Sequence, residues 1–325
     1  MRRVVAVCCI VVFAFLIGSC RETPDDGKKP KKNTKGTIGV SVLTMTNPFF
    51  KEIADVLTAD MNKAGYDVVA VSGDLDVAKQ QKQVQDFLVQ KVSAIVLCPC
   101  DSKAIGPVIR EANKQGVPVF TADIACLDPD AKVVTHVATD NYEGGKQAGE
   151  AMIEALGDNG GKILVLDFQK VDSCILRIKG FDEVLKKHND GRATGKIKVV
   201  KRLPCDGEKD KGYRATQDTL QSDPDIVGIF AINDPGALGA RAALERANKT
   251  AQIKIIGFDG QPEGKQAILE GKIYADPIQF PDKIAQETAR AILRHFQGNP
   301  LGSEILIPTS LYRKADAEKD ASLKK

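Results

Sequence analysis

From Thr37 onward the chain repeats one alternation: a short β-branched run, then an amphipathic stretch of helical spacing. Strands separated by helices pair in parallel, and a parallel sheet needs cover on both faces, so few folds remain open. The strand candidates fall into two sets. Thr37–Thr44, Asp67–Val71, Ala94–Leu97, Val117–Thr121 and Val133–Ala138 form the first. Lys162–Asp167, Lys196–Arg202, Ile226–Ala231, Ile253–Phe258 and Lys272–Ile278 form the second. Among the intervening segments, Val77, Val84, Phe87 and Leu88 share one helical face, and Ile284, Thr288, Ile292 and Phe296 share another. With 325 residues and 43% hydrophobic content, the chain has material for two α/β lobes, each with its own core.

An internal echo supports two lobes. In the first, a strand is followed by Cys100-Asp101, then Ala104-Ile105-Gly106, then a strand ending at Asp123. In the second, a strand is followed by Asn233-Asp234, then Ala237-Leu238-Gly239, then a strand ending at Asp259. Each lobe thus places a carboxylate at the carboxyl end of a comparable strand, where open α/β sheets bind ligands.

The N-terminus carries an address. Arg2 and Arg3 precede an apolar run from Val4 to Ile17, a signal-peptide pattern. The run is shorter than the roughly 20 residues of a membrane-spanning helix. Leu16-Ile17-Gly18-Ser19-Cys20 resembles a bacterial lipobox, which implies a lipid on Cys20; plain secretion or an uncleaved anchor is the alternative. Arg21–Gly36, with bases, acids and two prolines but no apolar period, reads as a solvated tether.

Several chemistries are disfavoured. The net charge is only +3, which argues against nucleic acid. His136, His188 and His295 are far apart in sequence, so neither a His-rich metal site nor a hydrolytic triad is expected. The first strand–helix turn, Thr44-Met45-Thr46-Asn47-Pro48, has no glycine fingerprint for a dinucleotide, and Gly157–Lys162 precedes a strand and is no P-loop. No catalysis, cofactor or metal is expected.

Asn47-Pro48, Asp234-Pro235, Gln261-Pro262 and Phe280-Pro281 mark helix starts. The two aromatics that follow at Phe49-Phe50 suit either a core or the apolar face of a sugar ring.

At this point a family likeness becomes specific. Thr44 to Phe50 resembles the opening of the type I periplasmic sugar-binding proteins, most closely the ribose-binding branch. His136-Val137-Ala138-Thr139-Asp140-Asn141 with Gly144-Gly145 resembles that branch's first crossing between lobes. Phe230-Ala231-Ile232-Asn233-Asp234, Ile256-Gly257-Phe258-Asp259-Gly260 and Gln279-Phe280-Pro281-Asp282 follow in the same order. The likeness runs from about Lys35 to Pro308.

The resemblance implies two Rossmann-like lobes joined by three hinge crossings and closing on one small ligand. It divides the chain into a signal peptide (1–19), a lipidated Cys and tether (20–36), an N-terminal lobe (37–139 plus 280–307), a C-terminal lobe (140–279 plus 308–316) and a charged tail (317–325). It implies a monosaccharide or similar polyol as ligand. Asn47, Phe49, Phe50 and Asp123 would contact it from the first lobe, and Arg177, Asn233, Phe258, Asp259 and Gln279 from the second lobe and hinge. Carboxylates, amides and guanidinium groups can each pair with neighbouring hydroxyls. The implied setting is a monomer in the periplasm or at the cell surface, held by its lipid and delivering to an ABC permease in the inner membrane. A subunit reporting to a chemoreceptor or sensor kinase, or a binder of a non-sugar solute, are the alternatives. A DNA-binding repressor of this core fold would need a helix-turn-helix where the signal segment stands.

Four positions depart from the family pattern: Leu43, Cys98, Ile124 and Gly207, where the family has Ser, Asn, Arg and a stacking Phe. They leave the first-lobe half poorer in hydrogen-bond partners than a ribose site, with Phe168 or Tyr213 as candidate replacement rings. Cys8 and Cys9 leave with the signal and Cys20 is assigned to lipid, so five of the eight cysteines remain. In an oxidising compartment, Cys98 or Cys100 is expected to pair with Cys126, and Cys174 with Cys205. Buried free thiols, or a soft-metal site, are the other readings.

Overall fold

The computed structural model describes residues 34–324. The signal segment, Cys20 and most of the tether lie outside the described residues. Five strands open the chain: β1 (Thr37–Val42), β2 (Asp67–Ser72), β3 (Ala94–Leu97), β4 (Val119–Ala122) and β5 (His136–Thr139). Five more follow: β6 (Gly161–Asp167), β7 (Ile197–Pro204), β8 (Ile226–Ala231), β9 (Lys254–Ile256) and β10 (Ala275–Ile278). The last two, β11 (Glu304–Ile307) and β12 (Ser310–Arg313), return one to each sheet. The first sheet runs β11-β5-β4-β3-β1-β2 and the second β12-β10-β9-β8-β6-β7. Every pairing is parallel except β10 with β12.

Ten α-helices are interleaved among the described residues: α1 (Pro48–Lys63), α2 (Val77–Val89), α3 (Gly106–Lys114), α4 (Asn141–Leu156), α5 (Asp172–Asn189), α6 (Lys209–Ser222), α7 (Asp234–Arg246), α8 (Pro262–Leu269), α9 (Pro281–Phe296) and α10 (Lys314–Ala317). The local chemistry follows the sequence. Asn47, Asp76, Asp140 and Asn233 cap α1, α2, α4 and α7 with their side chains, satisfying amides that the helices leave free. On α1, Phe49, Phe50, Ile53, Ala54, Leu57 and Met61 are buried at helical spacing. Val40, Val42, Val96, Ile163 and Val165 are fully buried in strands covered on both sides.

Helices α4 and α5 approach unusually closely because glycines face each other. A Cβ on Gly145 would lie 2.0 Å from the Arg177 carbonyl oxygen, and one on Gly180 would lie 2.1 Å from that of Tyr142. This contact sets the depth at which α5 sits, and α5 carries Arg177.

Two differences from the expected elements have physical causes. Each sheet has a sixth strand that sequence patterning missed, because β11 and β12 are four residues each, partly exposed, and separated only by Pro308-Thr309. The expected charged tail is docked rather than free: Ala317 is buried, and the Asp320 carboxylate accepts from the Tyr312 hydroxyl at 2.9 Å and from Lys265 at 3.2 Å. Those partners hold the Asp320 carboxyl well below its usual range.

The chain crosses between the sheets three times: after β5 at Asp140, after β10 at Gln279-Phe280, and between β11 and β12 at Pro308-Thr309. Thr309 Oγ1 donates to the Ile278 carbonyl at 2.7 Å and ties two of these crossings together.

Candidate ligand-binding site

Strands β4 and β9 end in a shared way. Asp123 has φ +63° and Asp259 φ +107°, a left-handed backbone that Asp adopts more readily than most residues and that turns each carboxylate away from its strand. Both face one cavity of about 650 Å3 between the lobes. Of the nine ligand residues expected, Asn47, Phe49, Phe50, Asp123, Arg177, Asn233, Asp259 and Gln279 line that cavity.

Phe258 does not. Its side chain is fully buried behind the cavity, with the Arg177 guanidinium carbon 3.9 Å from its ring centroid. Neighbouring residues of a strand end point to opposite sides, so Asp259 facing the cavity turns Phe258 away from it. Its place is that of a platform on which the guanidinium stacks.

Arg177 is held on every side. Its Nε donates to Asn141 Oδ1 at 2.8 Å, and its Nη1 donates to the Ile232 carbonyl at 2.7 Å and to Asp259 Oδ1 at 3.1 Å. Gln279 donates to the same Asp259 oxygen at 2.7 Å, and Gln261 to Oδ2 at 3.0 Å. Burial pushes the Asp259 carboxyl up, and Arg177 with the two amides opposes it. Asn141 and Gln261 were not singled out from the sequence as site residues; Asn141 stood inside the crossing motif, and Gln261 read as a helix start.

Asp123 has no comparable escort. It is 3% exposed and its Oδ1 has no hydrogen-bond partner. Burial pushes its carboxyl up to about 7, with Arg177 opposing and Asp259 reinforcing that rise. Gln279 Oε1 is likewise buried and unpartnered. Both orphans are acceptors, so the cavity calls for a ligand that brings donors.

Around Asp123 the first-lobe wall is largely apolar. Leu43, Phe49, Phe50, Leu75 and Ile124 line it, with Phe49 and Phe50 edge-to-face at 5.2 Å. Thr44, Thr46 and Asn47 supply its other polar groups. The Asn47 carbonyl is already taken by the Phe49 amide at 3.0 Å, and the Asn233 carbonyl by the Gly236 amide at 3.0 Å. That leaves the amide nitrogens to serve a ligand; the one on Asn233 also reaches the Gly207 carbonyl at 3.2 Å. Phe168 lines the second-lobe side, whereas Tyr213 stands outside the cavity.

The expected disulfides are absent. Cys98, Cys100, Cys126, Cys174 and Cys205 are all free thiols. Each is committed elsewhere by packing: Cys100 Sγ contacts the Leu43 carbonyl at 3.7 Å, and Cys205 Sγ sits against Gly236. Burial raises every one of these thiols, Cys100, Cys174 and Cys205 to about 12 and Cys126 to about 11.

The family model for the periplasmic binding protein domain matches residues 38–300. The chain belongs to the periplasmic binding protein family. Among curated members of this family, the ribose import binding protein RbsB of Bacillus subtilis (strain 168) is 34% identical over 300 residues, covering 90% of this chain and 94% of that one. The D-apiose import binding protein of Paraburkholderia graminis is 30% identical over 284 residues, covering 87% and 88%. A periplasmic binding protein of known structure, an ABC transporter solute-binding protein from Mycobacterium smegmatis with bound glycerol, superposes with a TM-score of 0.80. It is 28% identical, covering 87% of this chain and 96% of that one.

Proposed function

We propose that this periplasmic binding protein captures one monosaccharide or polyol between its lobes and delivers it to an ABC importer. The observation that carries this reading is the pair of buried, unpartnered acceptors, Asp123 Oδ1 and Gln279 Oε1, on either side of one inter-lobe cavity. Sugar hydroxyls are donors that reach several such groups at once, and they also accept from the Arg177, Asn47 and Asn233 nitrogens. The cavity volume lies within the roughly 300–1,000 Å3 of small-molecule sites. Relatives named for ribose and apiose import support the class.

The lining supports a finer statement about the ligand. Its hydroxyls gather toward the second lobe, where Arg177, Asp259, Gln261 and Gln279 stand, and an apolar edge meets Leu43, Phe49, Phe50 and Ile124. A hydroxyl placed against that wall loses its water without gaining a partner. Binding from both lobes favours the closed form, because the open form offers each ligand only half of these contacts. The protein acts as a monomer in the periplasm, held to a membrane through lipid on Cys20.

Thermal-shift and calorimetric titration with pentoses, hexoses, hexitols and myo-inositol tests the class, with amino acids and nucleosides as controls. A bound sugar or polyol raises the melting temperature by mass action. In the pairs D-galactose/D-fucose and L-mannose/L-rhamnose, the member lacking the 6-hydroxyl is expected to bind more tightly. A response to amino acids or nucleosides alone would overturn the proposal.

A further inference from the structure

Helix α5 begins without a cap of its own. Val171 occupies the N-cap position, and its side chain has nothing with which to accept a hydrogen bond. The acceptor comes instead from the other lobe. Ser102, in the loop after β3, takes the Asp172 amide on its Oγ at 2.9 Å, and its own amide donates to the Lys170 carbonyl at 2.9 Å. The loop that presents Ser102 is fixed within the first lobe: the Ser102 carbonyl accepts from the Leu127 amide at 2.7 Å, and the Asp101 carboxylate accepts from the amides of Lys103 and Ala104. Ser102 is 1% exposed and stands outside the cavity lining.

We infer that Ser102 is a helix cap supplied in trans, completed only when the lobes meet. The inference rests on the ligand-driven closure proposed above. When the lobes part, the Asp172 amide and the Lys170 carbonyl return to water and the first turn of α5 loses its anchor. That turn contributes Ser173 and Cys174 to the cavity, and Arg177 follows on the same helix. Closure therefore does more than bring the Arg177 side of the site to the ligand: it also holds the start of the helix that presents it. Ser102 is a positioning residue, adding to affinity without touching the ligand.

The test uses the full chain with Ser102→Ala, Ser102→Thr and Asp172→Pro. The last removes only the donated amide hydrogen from the backbone: Val171, at φ −119° and ψ 132°, already has the conformation favoured before proline, and proline suits the first helical position. Affinity is measured by calorimetry with D-ribose, D-fucose and myo-inositol as probes. Exchange of the amides that open α5 is followed with and without each probe. Loss of a cap weakens closure by about 3- to 30-fold in affinity, expressed as faster release. Ser102→Ala and Asp172→Pro should each show this loss, the double variant should lose no more than Ser102→Ala, and Ser102→Thr should restore binding. The α5 amides that a probe protects in the wild type should stay fast in Ser102→Ala, while the melting temperature without probe stays the same. Wild-type affinity and protection in Ser102→Ala would overturn the inference. So would an equal drop in melting temperature with and without probe, which would make Ser102 a permanent contact. If no probe binds the wild type, the sugar reading fails. Exchange without probe then decides the cap: faster opening of α5 in Ser102→Ala alone sustains it, and equal exchange removes it.

Discussion

Asp259→Asn exchanges one oxygen of a buried carboxylate for an amide of the same shape. Asn also tolerates the φ of +107° at this position, which makes it a cleaner probe than Ala. A carboxylate offers about four acceptor positions, and the protein fills three of them, from Arg177, Gln279 and Gln261. One remains for a ligand hydroxyl. A hydrogen bond to a charged group contributes about 1.5–3 kcal/mol. At about 1.4 kcal/mol per tenfold, its loss weakens binding by roughly 10- to 150-fold. The substitution also strips Arg177 of its counter-charge in a pair whose side chains are 3% and 4% exposed. Removing one partner of such a pair costs about 3–5 kcal/mol of stability, and an amide that still accepts from Arg177 brings the cost below that range. Calorimetry on the folded variant reads the first effect and urea unfolding the second. Wild-type affinity would refute the fourth acceptor position as a ligand contact. Wild-type stability would refute the account of Arg177.

Gly145→Ala forces α4 and α5 apart, since its Cβ would meet the Arg177 carbonyl; urea unfolding should show a loss of about 2 kcal/mol or more, and an unchanged midpoint would sink this account of the helix contact. Asp276→Asn tests a second buried carboxyl, pushed up to about 6 by burial, with Asp259 adding to the rise and Asp234 opposing it. Because the folded state holds this proton more tightly than an ordinary carboxyl does, the stability it supplies is present at low pH and lost as pH rises through about 6. The variant's advantage over the wild type should therefore grow by on the order of 3 kcal/mol between about pH 4 and 7. His136, which burial holds near 4, titrates in both proteins and cancels from the difference; a difference flat with pH would refute the assignment. Cys20→Ser should move the protein from the membrane to the soluble fraction, and full membrane recovery would argue for an anchor other than lipid.

The site was legible where chemistry sits in local pattern. Asp123 and Asp259 stood out because each closes a β-branched run, and Asn47, Asn233 and Gln279 because they adjoin helix starts or a crossing. What escaped was set by tertiary contact. Phe258 is adjacent to Asp259 in sequence, yet the strand's alternation turns it under Arg177 rather than into the cavity. Ser102 is an ordinary loop serine until the second lobe lies against it. The cysteines lie near strand ends, as expected, but packing directs their sulfurs toward separate backbones instead of toward one another. Strands β11 and β12 were missed because edge strands of four residues lean on their neighbours more than on their own hydrophobicity.

The return of β11 to the first sheet bears on how this molecule reaches its native state. That sheet, and the cover that α9 gives it, wait for residues 281–307, which follow nearly all of the second lobe along the chain. No contiguous segment contains a finished first lobe. During synthesis the N-terminal half presents β5 as an unpaired edge, and the pairing that closes it spans more than 160 residues, from His136 to Glu304. Such distant pairings form slowly, because the loop they close is long before it is rewarded. The two halves are thus obliged to mature together and late, which leaves a nascent chain pliable enough to be threaded through a translocation pore.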